Sequence, residues 1–130
     1  MSPLNLYFDG GCQPGVGVSY GFVLKDQHDK IVTKFGRALK DKRLTSNQAE
    51  YLGLIFALTW CLAHGHRRVK VFGDSLLIVN QMTGEFKVKD EKLTPLHESA
   101  SLLSETFEQF SIEWIPREEN EEADRETRGN

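Results

Sequence analysis

The sequence predicts a mixed α/β domain, because the spacing of its apolar residues changes along the chain. Through most of the first 40 positions, apolar and polar residues alternate as they do in strands with one buried face. From Ser46 or Asn47 the spacing becomes helical, and this segment ends at Gly65, a suitable residue for a helix C-terminus. A chain of 130 residues can form one domain with a substantial core and is too short for two.

Five strands are predicted from alternation and from the turn residues at their ends, at residues 3–9, 19–25, 31–39, 67–73 and 111–115. The first three should form an antiparallel meander. A glycine-rich loop, long for a hairpin, is expected between the first two strands, and a polar turn precedes the third.

Four helices are predicted, starting near residue 46, over 75–82, over 92–110 and from near residue 120. The first is apolar almost all round, so it must be packed on several sides. Gly84 should stop the second helix, and the third is amphipathic. The predicted order of elements is βββαβααβα, without an internal repeat.

Composition restricts how this chain can work. A formal net charge of −3 and a pI of about 5.8 exclude a general electrostatic attraction to nucleic acid, so such binding must use local basic residues and metal ions. The longest apolar stretch, residues 51–63, is too short to span a bilayer. Two distant cysteines and the lack of a leader-like start predict a reduced, cytoplasmic, soluble protein without membrane association.

Four acidic residues lie at predicted element boundaries: Asp9, Glu50, Asp74 and Asp124. Asp9 closes the first strand and precedes two glycines, which let the backbone approach a ligand closely. Oxygen ligands from four acids, with no His or Cys nearby in sequence, suit Mg²⁺ or Mn²⁺ rather than Zn²⁺. Together the four residues predict a two-metal phosphodiester hydrolase.

Each acid also has a structural explanation when it is taken alone. Asp9 with its glycines could form a turn, and Asn47 with Glu50 has the spacing of a capping box. Asp74 could cap the second helix, and Asp124 could lie on a solvated helix face. These explanations do not account for acids at the ends of two strands and the starts of two helices, where open α/β sheets assemble ligand sites.

Four ordered motifs cover nearly the whole chain. They are Tyr7-Phe8-Asp9-Gly10-Gly11-Cys12 with Gln13-Pro14-Gly15, Thr45-Ser46-Asn47-Gln48-Ala49-Glu50-Tyr51, Phe72-Gly73-Asp74-Ser75, and Trp114-Ile115-Pro116-Arg117-Glu118 followed by Asn120 and Ala123-Asp124. In these motifs the chain resembles type 1 ribonuclease H, the family that cleaves the RNA strand of RNA–DNA hybrids.

The resemblance implies a ribonuclease-H-like α/β fold, a five-stranded mixed sheet in the order 3-2-1-4-5 flanked by helices, with residues 1–130 as one catalytic domain. It further implies an endonuclease that gives 5′-phosphate and 3′-hydroxyl products, with the RNA–DNA hybrid as partner and the protein acting as a monomer. Two Mg²⁺ ions, for which Mn²⁺ can substitute, would be bound by the four acids Asp9, Glu50, Asp74 and Asp124.

Substrate contacts are expected on both strands of the hybrid. The loop Gly11-Cys12-Gln13, with Ser46 and Asn47, could read the 2′-hydroxyls of the RNA. By the resemblance, Arg43 and Thr45 match the phosphate pocket for the DNA strand, although a solvated approach to the helix explains them equally well.

Arg117 occupies the loop where some relatives place a mobile His. It is therefore the candidate auxiliary residue, with a salt bridge at the helix entry as the alternative. The four histidines are expected to be solvated, and Trp60 and Trp114 to lie in the core.

Two other functions remain open at this point. A catalytically weak module on the same fold could bind nucleic acid or a partner, since a fold does not guarantee chemistry. A resolvase-like or transposase-like nuclease could use the same acids to cut DNA. The presence of all four acids argues against the first, and the compact size and the start of the first helix argue against the second.

Overall fold

A computed structural model describes residues 2–128 and contains one five-stranded sheet in the order β3-β2-β1-β4-β5. The strands are β1 (Leu4–Gln13), β2 (Gly17–Lys25), β3 (Ile31–Leu39), β4 (Arg68–Gly73) and β5 (Gln109–Trp114). Strands β1 to β3 form an antiparallel meander, whereas β4 runs parallel to β1 and β5 parallel to β4. The expected order 3-2-1-4-5 is confirmed.

The helices are α1 (Ser46–Ala63), α2 (Leu76–Thr83), α3 (Thr94–Glu105) and α4 (Glu121–Thr127). A single 3₁₀ turn, Arg117–Glu119, precedes α4. Gly84 adopts a left-handed φ of 88° at the end of α2, as its place in the sequence predicted.

The largest differences from the predicted boundaries lie at the first hairpin and at the end of the third helix. The segment expected as a long loop is strand, because β1 continues to Gln13 and only residues 14–16 separate it from β2. The third helix is shorter than predicted and ends at Glu105. Beyond it, the backbone N–H groups of Glu108 and Gln109 donate to the carbonyl oxygen of Arg67, which begins the pairing of β5 with β4.

Helix α1 packs very closely against β1, because a glycine in each element lies against the backbone of the other. A Cβ at Gly10 would lie 2.3 Å from the carbonyl carbon of Ala49, and one at Gly53 would lie 2.7 Å from the carbonyl oxygen of Asp9. Around this contact lies the apolar core, which includes Leu6, Phe8, Phe22, Tyr51, Leu54, Leu58, Val69, Val71 and Ile78.

Helix α4 packs on the opposite face of the sheet. Gly10 faces α1, and successive strand residues face opposite sides of the sheet. Its neighbour Asp9, and Gly21 which pairs with Asp9, therefore face the other side. A Cβ at Gly21 would lie 3.0 Å from Cβ of Glu126 in α4, and one at Gly36 would meet the backbone of the same residue. The two helices therefore place residues at the same end of β1 from opposite sides.

Two side chains lie elsewhere than the sequence suggested. Trp114 is 47% exposed rather than in the core, because β5 is an edge strand, and its indole N–H donates to the carbonyl oxygen of Asp74 at 3.1 Å. His97 is partly buried, lies 3.1 Å from the carbonyl oxygen of Gln81 and packs edge-on against Tyr51. Trp60 packs against the core, as expected. No helix within residues 2–128 is both long and apolar enough to cross a membrane.

Candidate active site

Three carboxylates meet where β4 ends and where β1 continues beyond its pairing with β4. Asp9 lies in β1 and Asp74 directly follows β4, one strand away, while Glu50 lies in the second turn of α1. One oxygen of each carboxylate lies within 4.8 Å of those of the other two. Asp9 and Glu50 are each only 7% exposed, so this negative charge is concentrated in a poorly solvated place.

Glu50 is free for this site because another residue completes the helix cap. Thr45 is the N-cap of α1, and it forms a capping box with Gln48 through bonds of 2.8 and 3.2 Å. The alternative in which Asn47 and Glu50 form the box is therefore wrong. Glu50 Oε1 is buried and, among the described residues, has no hydrogen-bond partner.

Asp74 is not a helix cap either, since Ser75 Oγ accepts from the backbone N–H of Ile78 at 3.3 Å and caps α2. The carboxylate of Asp74 instead accepts a hydrogen bond from the side-chain amide of Asn120 at 3.1 Å. Its backbone carbonyl accepts the Trp114 indole N–H described above. Both contacts fix Asp74 at the edge of the site.

Asp124 approaches from α4 and lines the same cavity as the other three acids. Its carboxylate pairs with Arg128 at 3.0 Å, and its proximity to Asp9 contributes to raising the pKa of that carboxyl group. Within residues 2–128, the group of three mutually close oxygens does not include Asp124. The structure thus brings all four predicted acids to one cavity, with Asp124 at its margin.

Burial and mutual repulsion hold two of these carboxyl groups in the neutral form when no cation is present. Desolvation, followed by the charges of Asp74 and Asp124, raises the pKa of Asp9 to about 8. Desolvation, followed by the charges of Asp9 and Asp74, raises the pKa of Glu50 to about 9. The backbone N–H of Gly10 lowers both pKa values in part, and the charge of Arg117 lowers that of Glu50.

The acids open into a polar cavity of about 520 Å³. Its lining comprises Asp9, Gly10, Gly11, Cys12, Ser46, Asn47, Glu50, Asp74, Ser75, Arg117, Asp124 and Arg128. Four of the seven expected substrate residues, and the candidate auxiliary Arg117, therefore lie beside the acids. Because β1 continues past Asp9, Gly11 and Cys12 are held on a strand rather than on a loop.

The other three expected substrate residues lie outside this lining. Gln13 lines a separate cavity of about 430 Å³, and the Thr45 hydroxyl accepts a bond in the helix cap. Arg43 is paired with Asp41 through two side-chain hydrogen bonds of 3.0 Å, and its side chain is 89% exposed.

Sequence reasoning gave no role to two residues that contact the acids. Asn120 belongs to the fourth motif, so the signal was present, but its partner Asp74, just after β4, is 46 residues away in sequence. Arg128 lies beyond the motifs, and its spacing of four residues from Asp124 in the predicted last helix is the signal that could have indicated their pairing.

The donor set fits a hard divalent cation. All the candidate ligand atoms are carboxylate oxygens, which Mg²⁺ and Mn²⁺ accept readily and Zn²⁺ sites seldom use alone. A buried oxygen of Glu50 without a partner is costly unless a cation or donor satisfies it. Bound cations would relieve the repulsion that raises the pKa values of Asp9 and Glu50.

Comparison with known proteins agrees with this geometry. The sequence matches a protein-family model described as "Reverse transcriptase-like" over residues 7–126. The "Bifunctional protein Rv2228c" of Mycobacterium tuberculosis is 37% identical over 119 residues, which cover 90% of this chain and 32% of that protein. The chain thus spans about a third of the length of this relative.

Two solved structures share the fold over most of their length. RNase H1 from the halophilic archaeon Halobacterium salinarum has a TM-score of 0.91 and 33% identity, with 98% of this chain and 96% of that chain covered. LC11-RNase H1, solved in complex with an RNA/DNA hybrid, has a TM-score of 0.86 and 30% identity, with 96% and 94% covered.

Proposed function

Because this chain belongs to the type 1 ribonuclease H family, we propose that it is a metal-dependent endoribonuclease that hydrolyses the RNA strand of RNA–DNA hybrids. The observation that carries the proposal is the cluster of Asp9, Glu50 and Asp74, in which one oxygen of each carboxylate lies within 4.8 Å of those of the other two. The similar LC11-RNase H1, solved with an RNA/DNA hybrid, supports the choice of substrate.

Two Mg²⁺ ions, or Mn²⁺ ions in their place, would be held by these three acids together with Asp124. When bound, such ions lower the pKa of an attacking water and stabilise the leaving 3′ oxygen of a phosphodiester, which gives 5′-phosphate and 3′-hydroxyl products. The protein supplies position: β1 and β4 hold Asp9 and Asp74, and α1 holds Glu50. Arg117, whose charge lowers the pKa of Glu50, would help to keep that group ionised.

The walls of the cavity carry groups suited to RNA. Gly11 and Cys12 on β1 line the carboxylate cavity together with Ser46 and Asn47 at the start of α1. Backbone groups and an amide side chain at this place could donate to and accept from 2′-hydroxyls, which distinguish RNA from DNA. We assign recognition of the RNA strand to these four residues.

The DNA strand would lie beyond the start of α1. Arg43 is mostly exposed, so its guanidinium could exchange Asp41 for a backbone phosphate. Thr45 adjoins Ser46 of the cavity wall, and Gln13 extends β1 past Cys12. We therefore keep Arg43 and Thr45 as outer contacts for the DNA strand, and Gln13 as an outer contact for the RNA strand.

One copy of the chain provides all four acids, so we propose that it acts as a monomer and that its residues form one catalytic domain. Cys12 and Cys61 are both free thiols, which fits a reducing compartment such as the cytoplasm.

The decisive experiment is cleavage of a labelled RNA–DNA hybrid with Mg²⁺ and with EDTA, beside a DNA duplex of the same sequence. We expect Mg²⁺-dependent cuts in the RNA strand only, and no cutting by Asp9→Asn. Equal cutting of the DNA duplex would identify a DNA nuclease on this fold. Binding of the hybrid without cleavage would identify a catalytically weak module.

A further inference from the structure

Asn120 lies between three of the segments that carry the acids. It is 1% exposed, and its side-chain amide donates to the carbonyl oxygen of Phe8 at 2.9 Å and to Oδ2 of Asp74 at 3.1 Å. Its backbone carbonyl accepts from the N–H of Asp124 at 3.1 Å. One residue thus contacts the peptide before Asp9, the carboxylate of Asp74 and the helical turn that carries Asp124.

The chemistry of the two partners fixes the orientation of this amide. A carbonyl oxygen and a carboxylate oxygen are both acceptors, so only the NH₂ group of Asn120 can face them. The Oδ1 atom is then buried and, within the described part of the chain, has no partner. An unpaired buried acceptor is costly, so filling of the core alone does not explain an asparagine here.

Helix α4 cannot hold Asp124 in place by itself. It has seven residues, and a helix of that length is unstable in isolation. It is attached to the sheet by Asn120 at its start, by an ion pair between Lys25 and Glu122, and by the close packing of Glu126 on Gly21 and Gly36. Of these three anchors, only Asn120 also reaches Asp74.

We propose that Asn120 is a positioning residue that holds Asp74 and α4 in fixed register with β1, so that Asp9, Asp74 and Asp124 face one site. The inference rests on the proposed function, because it concerns the acids that would bind the metal ions. Loss of a hydrogen bond that orients a metal ligand typically costs about 10- to 100-fold in metal affinity or activity.

The test compares Asn120→Ala and Asn120→Leu with a matched control, Glu122→Gln. Alanine removes the side chain, whereas leucine restores most of its volume without a donor. Glu122→Gln weakens the docking of α4 through Lys25 and does not touch Asp74.

We expect both Asn120 variants to lower kcat on the hybrid and to raise the Mn²⁺ Kd, measured by calorimetry, by about 10- to 100-fold, with KM changed by about twofold or less. Glu122→Gln should lower Tm and leave kcat and the Mn²⁺ Kd near the wild-type values. A folded Asn120→Ala with wild-type kcat and Mn²⁺ Kd overturns the proposal. Recovery of both values in Asn120→Leu also overturns it, because volume would then suffice.

A measurement on the unmodified protein covers the case in which Asn120→Ala does not fold. The side-chain amide signals of Asn120 in an NMR spectrum should exchange slowly with solvent and shift during a Mg²⁺ titration, because the amide donates to Asp74. Signals that do not move overturn the proposal. If the wild type leaves the hybrid intact but these signals shift as expected, the proposed function fails and the positioning role stands.

Discussion

Gly53 packs so closely against the carbonyl oxygen of Asp9 that a Cβ at position 53 would lie 2.7 Å from that atom. With the contact between Gly10 and Ala49, this lets α1 approach β1 more closely than side chains would permit. Glu50 lies about one turn before Gly53, so the close approach brings its carboxylate beside that of Asp9. The cluster of acids thus depends on two glycines that take no part in the chemistry.

We therefore expect Gly53→Ala to impair both stability and hydrolysis. The added methyl group must push α1 away from β1, at a cost of about 1–3 kcal/mol in the free energy of unfolding. Separation of Glu50 from Asp9 should lower kcat at temperatures where the variant is folded. Denaturant unfolding and hybrid cleavage measure the two effects.

Thr59→Ala, an exposed change on the same helix, is the control and should shift stability by about 0.5 kcal/mol or less. Wild-type stability and activity in Gly53→Ala would show that α1 can move without consequence.

Asp9→Asn and Asp74→Asn should each nearly abolish hydrolysis while leaving the fold intact. Without metal, both variants should be as thermostable as the wild type or more so, because each replaces a carboxyl group whose ionisation the neighbouring acids oppose. Glu108→Gln, at an acid that pairs with Arg68 away from the cluster, is the control for loss of a carboxylate. Most of the activity remaining in either cluster variant would contradict the assignment of metal ligands.

Substitutions at Glu50 and at Gln48 distinguish a role in catalysis from a role in capping α1. Gln48→Ala breaks the capping box with Thr45 and should cost about 1 kcal/mol in stability with hydrolysis preserved. Glu50→Gln should instead lose hydrolysis and keep its stability, because Glu50 takes no part in the cap and its charge is destabilising without metal. Thermal unfolding in EDTA and cleavage in Mg²⁺ give the two readouts. An active but destabilised Glu50→Gln would return Glu50 to a structural role.

The sheet order followed from the resemblance of the four motifs to type 1 ribonuclease H, and the gathering of the acids was expected because each acid lies at a predicted element boundary. The sequence was not sufficient for the cap of α1, since Thr45 with Gln48 and Asn47 with Glu50 have the same spacing. Only the packing of α1 on Gly10 decides between them, because it turns Glu50 towards the site.

Contacts between distant segments were also out of reach. The fit of α4 on Gly21 and Gly36 joins residues about 90 or more positions apart, and no local pattern records it. The indole of Trp114 has the composition of a core residue, yet it lies at the edge strand and contacts Asp74. The apolar character of this residue correctly predicted that it lies in a strand, but wrongly predicted that it is buried.

Stability without metal should fall as the pH rises from about 5 to about 9. The folded-state pKa values of Asp9 and Glu50, about 8 and about 9, lie above the unfolded values of about 4. Folding therefore favours their protonated forms, and this stabilisation, present below the unfolded pKa values, is lost as the pH rises through the folded ones. Each unit of difference corresponds to about 1.4 kcal/mol.

The measurement is Tm in EDTA across that range. Asp9→Asn should flatten the slope, and saturating Mg²⁺ should restore stability at the alkaline end, where the carboxylates are ionised. A Tm in EDTA that rises steadily with pH would contradict the raised pKa values.

Measurements of selectivity for RNA test the substrate-binding role of the residues that line the cavity, rather than the role of the acids. If Gly11 and Cys12, with Ser46 and Asn47, read 2′-hydroxyls, cleavage should require several consecutive ribonucleotides around the scissile phosphate, and a duplex with a single embedded ribonucleotide should be cut poorly. Asn47→Ala should lower kcat/KM on the hybrid by about tenfold, since one lost hydrogen bond to a polar substrate is worth about 1–1.5 kcal/mol. The Mn²⁺ Kd of this variant should stay near the wild-type value, because the side chain lines the cavity without belonging to the group of close carboxylates. Equal rates on the hybrid and on the single-ribonucleotide duplex would show that the enzyme does not read the 2′-hydroxyls of several neighbouring nucleotides.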